Sequence, residues 1–438
     1  MPFFRQLAAT LLLALLFFTQ PASAYSVLSH EQVVDLAWKT HIIPLLQARF
    51  PNLTPDQIKE AHAYAYGGAI IQDIGYYPFG SHQLSDMLHY VRSGAFVSNL
   101  IRESTSPDEY AFALGALAHY TSDTYGHPAV NQATAREYPK LERRFGPTVT
   151  YAENPVAHLQ TEFGFDVLEV AQQRYAPEAY HDFIGFQVAK PVFERAFLDT
   201  YGLDLNQVLT HEDLAIGTYR KTISTLLPKM TRVAYADFHK QIQQTEPTYV
   251  PKHLIYRLNK ADYKKDWDDN YQKPGFGARF VGAFLRLLPK IGPLKDLSLR
   301  IPDPATQKQF LDGMNTVVDR YQKELDVLKR EPPDSPSLTL SQVDLDTGKP
   351  TAPGEYSLAD QTYARYLQAV AQHPEKPLPP AARADLLHYF ERATPGTLKL
   401  KRAQWKSLPA DLQKLKQAPS QPPQPQAVAR APLNPPWS

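Results

Sequence analysis

One segment in the first third of the chain combines an apolar helix with polar residues that such a helix does not bury at low cost. Residues 110–119 are apolar almost all round, which predicts a central, buried helix. The segment continues as GALAHYTSDTYGH (115–127), where His119, Asp123 and His127 stand at i, i+4 and i+8. Steps of four residues return to one helical face. Burying two imidazoles and a carboxylate there is costly unless a strong partner compensates.

These three side chains offer the donor atoms that zinc prefers, imidazole nitrogen and carboxylate oxygen. Asp123 could bridge two ions through its two oxygens. The spacing alone leaves a hydrogen-bonded histidine pair in a polar seam as the alternative interpretation. Eight of the 14 histidines fall between His30 and His158, and this density favours metal binding.

Other candidate ligands are weaker when each is taken singly. His158 and Glu162 are four residues apart, just after an Asn-Pro helix start. Asp73 stands at the end of the helix that is predicted to begin at residue 54, His89 lies in SDMLHY (85–90), and His30 lies five residues beyond residue 25. Each of these residue types at such a place is more often structural than functional.

The pattern around these residues is helical. Residues 54–57 (TPDQ) form a capping box with proline at the first helical position, and residues 106–109 (SPDE) repeat the device. From residue 29 to about 180 there is neither the alternation that strands need nor an internal repeat. The sequence therefore predicts an all-α fold with a smaller, mixed C-terminal region.

The C-terminal half is less uniform. Helical patterns cover 222–238, 303–329, 358–372 and 381–393, whereas 337–343 alternates weakly like a strand after a Pro-rich linker. We divide the chain into a signal peptide (1–24), a helical domain (25–240), a helical extension (241–331), a small C-terminal region (332–417) and a Pro-rich disordered tail (418–438).

The N-terminus has the pattern of a secretory signal peptide. A basic residue precedes an apolar run at 11–18 that is too short to span a bilayer, and small residues follow at 21–24. Cleavage there would make Tyr25 the first residue of a periplasmic or secreted protein. The chain has no cysteine, which excludes a lipid-anchored bacterial route and leaves stability to a core or to metals. No later apolar run predicts a transmembrane segment.

The balance of charge argues against a general affinity for nucleic acid. The chain has 46 basic and 45 acidic residues, so no net field attracts a polyanion. The Lys- and Tyr-rich stretch 252–273 interleaves acidic residues, which indicates a solvated face. Neither a Ser-His-Asp hydrolase signature nor a glycine-rich phosphate loop is present.

Five stretches together resemble the zinc-dependent phospholipase C and single-strand-nuclease superfamily. They are YSVLSH (25–30), GGAIIQDIGYYP (67–78), SHQLSDMLHYV (81–91), ALGALAHYTSDTYGHP (113–128) and AHLQTEFGFD (157–166). Their order and spacing are similar to the family's from residue 25 to about 180, and no comparable likeness follows residue 200. The nearest likeness is to the phospholipase C/D domain that opens glycosylphosphatidylinositol-specific phospholipase D.

The resemblance implies a helical bundle that encloses three zinc ions. The first ion would be held by Asp73, His89, His119 and Asp123. Asp123 would bridge to a second ion, completed by His30 and by the amine and carbonyl oxygen of Tyr25, where relatives often have tryptophan. The third would be held by His127, His158 and Glu162. Asp73 is the expected proton acceptor or water orienter, and His82 is the alternative to His89 in the same loop.

These expectations lead to one predicted function and two alternatives. The resemblance implies an exported phosphodiester hydrolase of the phospholipase C type, which uses metal-bound hydroxide on a phospholipid or other phosphodiester, with peripheral membrane contact. One rival is a zinc-dependent single-strand nuclease on the same scaffold. The other is a non-catalytic envelope protein that keeps zinc for stability and binds a partner through residues beyond 200.

Overall fold

The computed structural model describes residues 27–171, 186–221, 302–393 and 396–417. Within these ranges 73% of the residues are helical and almost none form strands, so the predicted all-α class is confirmed. None of the described helices has the length and apolar character that crossing a bilayer requires. Several predictions lie outside the described residues: the signal peptide, Tyr25, the helix at 222–238, the stretch 252–273 and the Pro-rich tail.

The first half of the chain forms eight of the described helices. They are α1 (Val27–Ala37), continued by a π-helical turn (Trp38–Ile42), α2 (Ile43–Arg49), α3 (Pro55–Gly68), α4 (His82–Tyr90), α5 (Ser93–Glu103), α6 (Pro107–Glu137), α7 (Pro139–Phe145) and α8 (Pro155–Ala171). The predicted capping box at Thr54 is present, because its side chain and that of Gln57 each bind the other's backbone amide. A 3-10 segment (Ile71–Tyr76) connects α3 to α4.

The rest of the chain adds seven more described helices and one hairpin. They are α9 (Lys190–Tyr201), α10 (Leu205–Val208), α11 (Glu212–Lys221), α12 (Pro304–Arg330), α13 (Ser357–Gln372), α14 (Pro380–Arg392) and α15 (Arg402–Gln417). The hairpin pairs β1 (Val343–Asp344) with β2 (Lys349–Pro350) in antiparallel register. Helices α12, α13 and α14 match the predicted patterns, whereas α15 was not predicted.

Two local predictions are wrong. Asp73 does not end the helix that begins after Thr54, because α3 ends at Gly68 and the backbone leaves the helical region at Ile70 before the 3-10 turn forms. The alternation at 337–343 does not make a strand of that length, because only Val343 in it pairs with β2. Leu338 is instead buried against the helical core, and burial alone accounts for the apolar alternation.

Helix α6 is central to the fold. At its contact with α3 the two backbones lie so close that no side chain larger than that of glycine fits between them. A Cβ built on Gly115 would lie 2.0 Å from the carbonyl oxygen of Ala65, and one built on Gly68 would lie 1.9 Å from that of Phe112. Glycine at both positions is therefore what lets the two backbones touch. This close approach also brings the carbonyl oxygen of Ala69 within 2.9 Å of His119 Nδ1.

The C-terminal region packs against α4 and α9 of the N-terminal helices. Arg365 of α13 forms an ion pair with Asp86 of α4, and the hydroxyl of Tyr366 donates to the carbonyl of Tyr201. The ring of Tyr356 contacts that of Tyr90 edge to face. Residues far apart in sequence therefore pack together here, while the domain boundaries that we drew stay predictions.

We expect Gly115→Ala to destabilise the protein by about 1–3 kcal/mol, because the added methyl would force α6 away from α3. The matched control is Gly217→Ala in α11, where the new Cβ meets nothing within 4 Å. That substitution should be neutral or stabilising by up to about 1 kcal/mol, since alanine favours a helix. Urea unfolding of both variants measures the difference, and equal effects would contradict the close-packing argument.

Candidate metal centre

Helix α6 presents the predicted triplet on one buried face. His119, Asp123 and His127 are each fully buried, as their i, i+4, i+8 spacing predicts. The proline at position 128 lies inside the helix immediately after the triplet. One buried face of α6 therefore carries three polar side chains into the interior, where they must find partners.

Four other elements bring the remaining described candidates to this face. Their contributions are His30 from α1, Asp73 from the 3-10 segment, His89 from α4, and His158 with Glu162 from α8. The ligand atoms form three groups, in each of which all atoms lie within 4.8 Å of one another: His30, His119 and Asp123; Asp73, His89 and His119; His127, His158 and Glu162. All of these side chains are buried.

Asp123 joins the groups to one another. Its Oδ2 lies 3.1 Å from His119 Nε2 and 3.5 Å from His89 Nε2. Its Oδ1 lies 3.6 Å from His30 Nε2 and 3.7 Å from His127 Nε2. One carboxylate thus faces four imidazoles, two on each oxygen, which is the arrangement expected of a bridging ligand.

The other two carboxylates each serve one group. Asp73 Oδ1 lies 3.4 Å from His89 Nε2. Glu162 Oε1 lies 2.7 Å from His158 Nε2 and 3.5 Å from His127 Nε2. These positions correspond to the first and third of the three sites that the family resemblance implied.

Backbone carbonyls orient three of the rings. The Nδ1 atoms lie 2.8 Å from the carbonyl oxygen of Ser85 for His89, 2.9 Å from that of Ala69 for His119, and 2.7 Å from that of Leu345 for His127. Because a carbonyl only accepts hydrogen bonds, each ring must donate from Nδ1. Its Nε2 is then directed into the cluster, as a metal ligand requires.

The first helix is held in place by a residue of α8. Asp166 accepts hydrogen bonds from the backbone amide of Leu28 at 3.0 Å and from the hydroxyl of Ser29 at 2.9 Å. Both contacts involve the start of α1, so Asp166 fixes the helix that carries His30. Asp166 lies in the stretch 157–166 that carried part of the family resemblance, but the sequence did not indicate this role.

The charges of the cluster are strongly coupled. Burial disfavours the ionised form of Asp123, yet attraction to His119 and His127 outweighs burial and holds the pKa of that carboxyl well below its usual range. Burial raises the pKa of Glu162 well above its usual range, although contact with His127 opposes the shift. Burial lowers the pKa of His158. The protein's own groups thus satisfy the cluster only in part.

The unsatisfied atoms show that the residues fit a group of cations. Among the residues that the structure describes, both oxygens of Asp123 and of Glu162, with Oδ1 of Asp73, have no hydrogen-bond donor other than the imidazoles of the cluster. Burying so many oxygens without donors is costly. Divalent cations would complete their coordination and take the place of protons on the imidazoles. A buried set of imidazoles and carboxylates is the donor chemistry of zinc.

The structure leaves other candidates outside the cluster. His82, the alternative to His89, is exposed and packs edge to face against Tyr76. His62 binds Asp35 at 2.8 Å, and His41 lies near the surface. Tyr25 lies outside the described residues, so the structure does not test its assignment.

Two tyrosines line the cluster, and the sequence pointed to only one of them. The ring of Tyr76 lies 6.2 Å from that of His89, and the ring of Tyr151 lies 6.0 Å from that of His158. Tyr76 stands three residues after Asp73 in the sequence, whereas Tyr151 is adjacent to no candidate ligand in the sequence.

Comparison with known families gives one match, and comparison with curated proteins and with solved structures gives no significant match. The sequence model of the family described as zinc dependent phospholipase C matches residues 29–210. The match contains every described candidate ligand of the cluster. Residues 29–210 of this chain therefore form a domain of the zinc-dependent phospholipase C family, a family of hydrolases.

Proposed function

We propose that the protein is an exported phosphodiester hydrolase of the phospholipase C type that works with three zinc ions. The observation that carries the proposal is the position of Asp123, whose two oxygens face different groups of buried imidazoles. A single structural zinc site needs four ligands and no shared carboxylate. Three connected groups of donors are better explained by a cluster of ions than by one ion that only stabilises the fold.

The charge of the cluster suits an anionic substrate. Its described ligands include three carboxylates, from Asp73, Asp123 and Glu162, and these neutralise only half of the charge of three divalent ions. The remaining positive charge favours binding of a phosphodiester anion. When bound, zinc supplies a Lewis acid that lowers the pKa of water toward neutrality and offsets charge that develops on phosphate oxygens.

Asp73 is the carboxylate that we propose takes the proton from the attacking water. It belongs to the 3-10 segment rather than to the central helix, and its Oδ1 lies 3.4 Å from a single ring nitrogen, Nε2 of His89. Asp123 is less suited to this role, because both of its oxygens face imidazoles. The chain therefore separates a bridging carboxylate from one that can also exchange a proton.

A phospholipid is the substrate class that we favour over a nucleic acid. The family description names a phospholipase C, and the whole chain has a formal net charge of only +1. Proteins that bind polyanions ordinarily use clustered lysine and arginine. The rings of Tyr76 and Tyr151 beside the cluster add apolar surface next to the phosphate site.

The proposed function predicts a substrate preference. Zinc-loaded protein should hydrolyse short-chain phosphatidylcholine or phosphatidylinositol faster than single-stranded DNA or RNA at the same concentration. Asp73→Asn should lower every activity by about 100-fold or more, because proton transfer is lost in addition to a ligand. A preference for nucleic acid would support the nuclease alternative, and no hydrolysis by zinc-loaded protein would support a non-catalytic role.

The bridge predicts how metal content responds to substitution. Asp123→Asn should remove about two zinc equivalents, because the amide cannot bridge two ions, whereas His158→Ala should remove about one. Elemental analysis of both variants after dialysis against buffered zinc measures the difference. A loss from Asp123→Asn no greater than that from His158→Ala would refute the bridging role.

Export predicts a dependence on the N-terminus. Protein that begins at Tyr25 should carry about three zinc equivalents, and an extra methionine before Tyr25 should reduce this to about two. A peptide nitrogen has its lone pair delocalised into the amide and is a poor donor, whereas a free amine with a pKa near ~8 can bind zinc near neutral pH. Equal zinc content in the two forms would exclude Tyr25 as a ligand.

A further inference from the structure

The hairpin of residues 343–350 reaches the metal centre from outside the residues that the family model matches. The backbone amide of Leu345 donates to the carbonyl of His89 at 3.2 Å. The carbonyl oxygen of Leu345 lies 2.7 Å from His127 Nδ1. One residue of the hairpin thus contacts two candidate ligands that belong to different helices.

The contact with His127 differs from those of the other anchored rings. His89 and His119 are oriented by the carbonyls of Ser85 and Ala69, and both carbonyls lie within residues 29–210. His127 is oriented by a carbonyl that lies 218 residues further along the chain. The family-matched region therefore contains the ligand but not the group that sets its ring orientation.

A buried carboxylate lies beside the same ring. Asp346 is fully buried, and its Oδ1 lies 3.8 Å from His127 Nδ1. Its Oδ2 accepts hydrogen bonds from the hydroxyls of Tyr90 and Tyr356, which hold the carboxylate in position. Negative charge next to the ring increases the basicity of the imidazole and favours its binding to a cation.

Several contacts hold the hairpin in a defined place. The hydroxyl of Ser93 donates to the carbonyl of Val343 at 2.6 Å, and the side-chain amide of Asn131 donates to the carbonyl of Asp346 at 2.8 Å. Gly348 has φ +68, and a Cβ there would lie 2.2 Å from the carbonyl oxygen of Thr124 on α6. The turn can rest on α6 next to the ligand triplet only because this residue is glycine.

From these contacts we infer that the 343–350 hairpin is a positioning element of the zinc site formed by His127, His158 and Glu162. Leu345 sets the orientation of His127 through its carbonyl, and Asp346 strengthens that ligand through its charge. The inference rests on the proposed zinc centre, but it concerns residues that the centre itself does not require as ligands. It assigns to the C-terminal region a part in metal binding.

The test compares Asp346→Asn with Asp360→Asn in the full chain. Asp360 is a matched control, because it is also a buried carboxylate of the C-terminal region and accepts a tyrosine hydroxyl, that of Tyr389, at 2.7 Å. Its other acceptor contacts are with the backbone amides of Gly354 and Lys399, and none is with a candidate ligand. Zinc titration against a competing chelator measures each site's affinity, and thermal unfolding of the metal-free forms measures the damage to the fold.

Asp346→Asn should weaken one zinc by about 10- to 100-fold and leave the other two unchanged. Asp360→Asn should keep all three affinities even where it lowers the melting temperature. Gly348→Ala should reproduce the loss of the same zinc, because it lifts the hairpin from α6. If Asp346→Asn does not fold, Tyr356→Phe removes one of the two hydroxyls that hold Asp346 and should cause a smaller loss at the same site.

The outcomes separate this inference from the proposed function. Wild-type protein that binds no zinc would overturn the metal centre and this inference with it. Wild-type protein that binds three zinc ions, with unchanged affinities in Asp346→Asn and Gly348→Ala, would overturn this inference alone. Equal weakening of all sites in the Asp346→Asn and Asp360→Asn variants would also overturn it, because the carboxylate would then act only on the stability of the fold.

Discussion

The carboxylate of Asp123 is the interaction on which the rest of the structure depends. It is fully buried and faces imidazoles from three helices, α1, α4 and α6. An ionised carboxylate in the interior is tolerated only when positive charge surrounds it. These helices must therefore meet at this point, and the polar centre lies beside the large apolar core that the bundle also forms.

Backbone carbonyl groups orient the imidazole rings of this centre. Glycines at the contact between α3 and α6 allow the carbonyl of Ala69 to reach His119. The carbonyl of Ser85 directs His89 from within the same helix turn. Each contact leaves the ring with one orientation, so the nitrogen that faces the cluster is determined before any ion binds. The packing of the helices therefore determines which donor atoms face the cluster.

The C-terminal region adds a second layer to the same centre. Its hairpin lies against α6 and supplies the carbonyl that orients His127, while Asp346, which accepts a hydrogen bond from Tyr356, lies beside the ring. The matched family region ends at residue 210. A region without its own family signal can therefore contribute to the chemistry of the domain that precedes it.

The grouping of most of the described candidate ligands could be predicted from the sequence, because helical spacing is a local property. The spacing of His119, Asp123 and His127 places them on one face of any helix that they form, and the family resemblance added the single residues from other helices. The all-α class follows from the same periodicity. Local pattern could not place Asp73, because the end of α3 depends on how closely Gly68 approaches α6.

Only the tertiary structure decided which residues surround the ligands. The group that orients His127 is the backbone carbonyl of Leu345, and a backbone group leaves no trace in the choice of side chain. Leu345 also follows His127 by 218 residues, a separation far beyond the few residues over which helical periodicity relates positions. The same holds for Asp166, which holds the start of α1, and for Asp346 beside His127. The sequence by itself determined the helices and the donor atoms that they present. Folding determined the orientation of those donors, because long-range packing alone brings backbone carbonyls and buried carboxylates to them.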